Sequence, residues 1–284
     1  MRPVAAIVCA GLLAGTLAHA EISSNPPAGC LLGDELRFGR AILPVRAAAD
    51  LLAIPAGIPG WELYDWALFS AVALPTVGLM LPLHHPLDAR IQRWVRSQLG
   101  PSKLVWTPLG DVLIWTGVWS AFASGVAYGW LAEDGRFFEH ASLMFEAFAV
   151  AQVYQLLFKL ALGREGPNDG EALGVIHGPA GFFRLFPAGT PSGHVASLYA
   201  FIGVVDTYWN EPWLTTLLHL FGVAFATFVV VDNYHFVSDV VWGAGMGYFI
   251  GRWVAQHRSS STSREASPVS IAPGPGGLQI HVEF

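Results

Sequence analysis

Charge is scarce in this chain. Asp, Glu, Lys and Arg make up only 13% of its 284 residues, where a soluble domain typically carries about 25%. That leaves too little polar surface to cover a water-soluble globule. With 53% hydrophobic residues and a mean hydropathy of +0.47, the composition is that of a membrane protein. Basic residues are few and scattered, and the net charge is −6. This excludes a nucleic-acid partner, because binding a phosphate backbone needs a basic surface. Cysteine is limited to Cys9 and Cys30, which supports neither a disulfide framework nor a zinc site. Internal repeats are lacking.

What is present begins with a leader-like stretch. Arg2, an apolar run from Val4 to Leu17 and the small-x-small ending Ala18-His19-Ala20 read as a signal peptide over residues 1–20. An uncleaved anchor helix is the alternative, and either sends the chain to a membrane. Residues 21–60 hold Pro26, Pro27, Pro44, Pro55 and Pro59 and read as an irregular or amphipathic entry segment. Six apolar stretches follow, at Trp66–Leu83, Val112–Leu131, Ala141–Leu162, Val195–Trp209, Trp213–Val231 and Phe236–Gly251. Their lengths approach the roughly 20 residues that cross a bilayer. Residues 61–254 are therefore expected to form a helical membrane domain. Arg90, Arg93, Arg96 and Lys103, between the first two stretches, fit a short amphipathic helix on the membrane surface. Residues 255–284 read as a flexible linker and a strand-like tail, since Leu278–Phe284 alternates apolar and polar residues.

The costly ionisable residues gather in the second half of the chain, where they mark a site. Lys159 to Pro167 follows the third stretch, Pro191-Ser192-Gly193-His194 precedes the fourth, and His235 to Asp239 joins the fifth to the sixth. If the spans alternate direction, all three clusters lie on one membrane face. Each residue type suits phosphate-ester cleavage. His235 and Asp239, four apart, share a helix face. A carboxylate on one imidazole nitrogen fixes the tautomer and leaves the other nitrogen as a nucleophile. His194 can protonate a leaving alkoxide. Ser192 and Gly193, ahead of a helix, favour an anion, and Lys159 supplies charge to phosphoryl oxygens. His84, His85 and His219 read as interfacial residues, and the Trp and Phe residues as lipid-facing or belt residues.

These residues resemble the phosphatidic acid phosphatase type 2 superfamily over about residues 84–251. Its pattern is Lys-x6-Arg-Pro, then Pro-Ser-Gly-His, then Ser-Arg-x5-His-x3-Asp. Lys159 and Pro167 match the first motif, Ser192, Gly193 and His194 the second, and His235 and Asp239 the third. The chain departs from the pattern at both arginines, which fall at Gly166 and Val229, with Phe228 in place of the serine. Arg164, two residues before Gly166, is the candidate substitute phosphate ligand, and Arg184 a second.

The resemblance implies an all-α, six-helix transmembrane bundle with a short β-like C-terminal tail, and no metal or other cofactor. It implies hydrolysis of a phosphate monoester or diphosphate on a lipid-like substrate through a phosphohistidine on His235, in a multi-pass protein of the bacterial inner membrane with its site facing the periplasm. The expected partners are a phosphorylated lipid and membrane lipids. The alternative is a catalytically inactive phosphatase-like protein that binds phospholipid or supports envelope assembly.

Overall fold

The computed structural model describes residues 43–81, 86–99, 135–168, 173–185, 189–209, 211–261, 269–274 and 277–282, with scattered positions between 112 and 132. The expected signal peptide, both cysteines and part of the stretch expected at Val112–Leu131 lie outside the described residues.

The first described element corrects part of the entry segment. Leu43–Gly57 is a helix, α1, although it contains two of the prolines that suggested irregular chain. Pro44 stands in the first turn, where a missing N–H costs nothing because that group has no intrahelical acceptor. Tertiary contacts complete it: buried Arg46 pairs with buried Glu146, and the Tyr154 hydroxyl donates to Leu51 O at 2.8 Å. A short 3₁₀ turn, Ile58–Gly60, leads into α2, Leu63–Met80. Glu62 and Asp65 close its N-terminus as a capping box.

The amphipathic segment forms α3, Leu87–Leu99. Its exposed side carries Leu87, Arg90, Arg93 and Trp94, and its buried side Asp88, Ala89, Gln92 and Val95. The remaining helices are α4 (Gly135–Leu162), the short α5 (Pro179–Leu185), α6 (Gly193–Trp209), α7 (Pro212–Val231) and α8 (Val237–Ser261). Two antiparallel strands follow, β1 (Val269–Gly274) and β2 (Gly277–Val282), with Val269 opposite Val282.

Among the described residues, three helices are long and apolar enough to cross a membrane: Leu63–Met80, Glu139–Leu162 and Pro212–Val231. Six crossings were expected. The stretches at Val195–Trp209 and Phe236–Gly251 became α6 and α8, which pack against each other along their length and against α4. Their contact is a glycine seam. A Cβ on Gly243 would lie 2.7 Å from Ser192 O, one on Gly247 2.1 Å from Ala196 O, and one on Gly251 2.1 Å from Ala200 O. Small residues at four-residue spacing let two backbones approach this closely. Buried Val195, Tyr199, Val237, Val240 and Val241 fill the space beside the seam. The seam fixes the start of α6 against the start of α8, and the chemistry-bearing residues stand at those two ends.

Candidate active site

The turn between α7 and α8 presents His235. Asn233 adopts the left-handed conformation (φ 64°), which Asn tolerates better than most residues. The amides of Tyr234 and His235 then fold back onto Val229 O at 3.0 and 3.2 Å. His235 is 3% exposed, and its Nδ1 lies 3.3 Å from Asp239 Oδ2. The same carboxylate oxygen accepts the Phe236 N–H at 3.0 Å. A carboxylate on Nδ1 leaves Nε2 as the free nitrogen. Burial pushes the imidazole below its ordinary pKa, against the raising effect of the Asp239 hydrogen bond, and the positive charges of Lys159 and His194 add to the lowering. A neutral imidazole with an oriented ring is what a nucleophile requires.

Lys159, His194 and Asp239 come from α4, α6 and α8, and all three act electrostatically on His235. Lys159 is buried in the last turn of α4. Half-buried His194 is the second residue of α6. The Tyr234 ring neighbours both imidazoles, with centroids 5.8 Å from His194 and 4.9 Å from His235. Ser192 lies between the starts of α6 and α8. Its N–H donates to Asp239 O at 2.9 Å, and its Oγ stands 3.5 Å from the Val195 N–H, in the N-cap position of α6. Its backbone amide thus ties α6 to α8. The amides of Gly193 and His194, the first two of α6, are the ones a helix leaves for an anion. Gly193 packs against Gln155, whose amide would be 3.3 Å from a Cβ there.

Residues 141–262 match the family model of the PAP2 superfamily. That is the superfamily the three motifs resemble, and the match supports a phosphatase-type activity in general terms. No curated protein and no solved structure matches the chain. The PAP2 segment holds Lys159, Ser192, Gly193, His194, His235 and Asp239 and leaves out α1, α2 and α3.

Arg164, the candidate substitute phosphate ligand, turns inward and is 1% exposed. Nε donates to Gly174 O at 3.1 Å. Nη1 donates to Asp239 Oδ1 and Ser238 Oγ, both at 2.8 Å, and to Thr190 Oγ1 at 3.1 Å. Nη2 donates to Asp88 Oδ2 at 2.9 Å, and the guanidinium lies over the Phe236 ring at 4.8 Å. Every guanidinium nitrogen thus has a protein acceptor. Two glycines shape this clasp: a Cβ on Gly174 (φ 69°) would be 2.7 Å from Arg164 Nη2, and one on Gly189 (φ 92°) 2.4 Å from Arg164 O. Arg184 lies exposed on α5. Of the positions that replace the motif arginines, Gly166 is buried and Val229 sits in the apolar cluster with Val195 and Val237.

Asp88 was not among the sequence candidates, yet it is 1% exposed at the back of the site. One signal was available. On a helical wheel, Asp88 and Gln92 share a face with Ala89 and Val95, so burying that face buries two polar groups that need partners.

Proposed function

We propose that the chain hydrolyses a phosphate monoester or diphosphate on a lipid-like substrate through a phosphohistidine on His235. The observation that carries this reading is a buried His–Asp pair with Lys159 and His194 acting on its imidazole from two other helices.

In the first step His235 Nε2 bonds to phosphorus while the bond from phosphorus to the lipid oxygen breaks, and protonated His194 gives its proton to the leaving alkoxide. In the second, His194 takes a proton from water, the water oxygen bonds to phosphorus, and the phosphorus–nitrogen bond breaks to release phosphate. Lys159 and the Gly193 and His194 amides neutralise the equatorial oxygens, where the charge resides in phosphoryl transfer. The apolar helices Leu63–Met80 and Pro212–Val231 support a substrate delivered from the bilayer. A bacterial inner-membrane location with the site on the periplasmic side, one early stretch of the six not crossing, and a strand-like tail belong to the same reading.

The two arginine positions favour a second reading, a catalytically silent phospholipid-binding relative, because each missing charge-stabilising donor costs about 2.7–4 kcal/mol of transition-state stabilisation. Phosphate release from isoprenyl diphosphate, phosphatidate and lipid A phosphate by purified protein, with and without vanadate, decides between them. Turnover blocked by vanadate is expected. No release from any of the three sinks the hydrolase.

Two quantitative outcomes follow from the geometry. With Gly166 and Val229 uncharged, Lys159→Gln should lower kcat/KM by about 10²–10³-fold, read in the same assay. Because burial lowers the His235 pKa, the nucleophile stays neutral to more acid pH than a free imidazole. Activity should persist as pH falls through about 6.5 and disappear only below it, as His235 takes up a proton. An acid limb of kcat/KM centred above that value would contradict the assignment.

A further inference from the structure

Helix α3 lies outside the PAP2 segment, yet its buried side reaches the catalytic turn at two points. Asp88 accepts Arg164 Nη2 at 2.9 Å and the Ser238 N–H at 3.1 Å, and it also accepts the Ser238 hydroxyl. Four residues on, Gln92 Nε2 donates to Val230 O at 3.0 Å and to Asn233 Oδ1 at 2.7 Å. Every partner belongs to the last turn of α7, to the turn after it that carries His235, to the first turn of α8, which carries Asp239, or to the arginine that holds Asp239.

We propose that α3 is part of the catalytic apparatus, with Asp88 as the positioning residue that sets the His235–Asp239 pair through Arg164 and Ser238. Three physical points carry it. First, Arg164 lies between two buried carboxylates, donating to Asp239 with one terminal nitrogen and to Asp88 with the other. Removing Asp88 leaves a buried guanidinium with one carboxylate and frees it to shift onto Asp239, since an unpaired buried donor is costly. Second, Ser238 is the second residue of α8, and its N–H is one that a helix cannot satisfy internally. Asp88 accepts it from another helix, as an N-cap would, and so fixes the rotation of the turn in which the next residue is Asp239. Third, the His235–Asp239 contact of 3.3 Å lies at the long end of hydrogen-bond distances, so a small displacement breaks it.

The alternative is a carboxylate that merely staples α3 to the bundle. The two differ in what happens to His235 itself. The groups acting on its ring are Lys159 from α4, His194 from α6 and Asp239 from α8, and those acting on Asp88 are Arg164 and Asp239. Asp88 is not among the groups acting on the ring, so only loosening Asp239 from it lowers the imidazole midpoint, whereas loss of a staple leaves the midpoint in place.

This inference rests on the hydrolase reading for its effect on rate, but its decisive measurement needs no turnover. Full-length protein labelled with ¹⁵N-histidine in detergent micelles is titrated by NMR, with His235 assigned by its loss in His235→Ala. In Asp88→Asn the His235 midpoint should fall relative to wild type. In Asp88→Glu, which keeps the charge, it should move less. In the phosphate-release assay Asp88→Asn should lower kcat by about 10–100-fold, with KM within about twofold of wild type. If Asp88→Asn does not fold, Ser238→Ala, which removes the hydroxyl between Asp88 and Arg164 and keeps both charges, should still lower kcat several-fold at unchanged KM. An unmoved His235 midpoint in Asp88→Asn overturns the positioning role. In the case that Asp88→Asn is unfolded, an unaltered kcat in Ser238→Ala does so. A wild-type protein without turnover sinks the hydrolase reading alone, and the titration still decides Asp88.

Discussion

His235→Ala is expected to abolish phosphate release, with kcat falling about 10⁴–10⁶-fold, the range seen when a covalent nucleophile is removed. The fold should survive. Asp239 keeps the Phe236 N–H, Arg164 and Thr190 as donors, so its carboxylate is not stranded, and the cost is that of one truncated buried side chain, about 1–3 kcal/mol. The thermal midpoint should therefore drop by a few degrees while activity disappears. Rapid-quench labelling with a γ- or terminally ³²P-labelled substrate separates this from the loss of a passive residue. Wild-type protein should retain an acid-labile, alkali-stable label on histidine, and the variant should retain none. A His235→Ala protein that still turned over within tenfold of wild type would show that the pair with Asp239 is a structural bond at a helix start, and the proposed mechanism would fall with it.

Lys159, His194, His235 and Asp239 could be singled out from sequence because their identity and spacing are both constrained. His235 and Asp239 lie one helical turn apart, and the others stand where apolar stretches end. Arg164 could be singled out from sequence, but its partners could not. From sequence it is a guanidinium in a glycine-flanked loop near a presumed phosphate. Its inward turn depends on the backbone at Gly174 and Gly189, and on Asp88 and Asp239, each more than seventy positions away. No local pattern records those pairings. Asp88 was hidden for the same reason, since an acidic residue in the first turn of an amphipathic helix reads as a favourable dipole partner. Ser192 was singled out for an anion, while its N–H and hydroxyl take up the ends of two helices. In α1, counting prolines misled because Pro44 occupies a first-turn position that tolerates proline. The expectation of six crossings rests on apolar length, which does not record what each stretch faces. In α6 and α8 small and apolar residues at close spacing serve contact between two helices as well as they would serve lipid.

That contact is the basis of the largest expected effect on stability. Gly247→Ala should lower both the thermal midpoint and kcat, and Gly247→Leu should prevent folding. A Cβ on Gly247 would stand 2.1 Å from Ala196 O and 2.9 Å from Ala196 C and Cα. The obstacle is backbone, which cannot rotate away as a side chain does, so α6 and α8 must separate. Overpacking of this kind costs about 1–3 kcal/mol or more. The displacement also acts on the chemistry. Ala196 is two residues beyond His194, and the Ser192 N–H bond to Asp239 O joins the same two helix ends. Separating the seam by about an ångström therefore moves the proposed acid away from the nucleophile, a change that can cost roughly 10²-fold in rate. Gly78 is the matched control, because it is an exposed helical glycine with nothing within 4 Å of a Cβ. Gly78→Ala should leave kcat unchanged and raise stability by about 0.5–1 kcal/mol through helix propensity. Thermal unfolding and phosphate release measured on both variants test the seam and the site together. Equal behaviour of Gly247→Ala and Gly78→Ala would mean that the approach of α6 to α8 does not set the distance between His194 and His235.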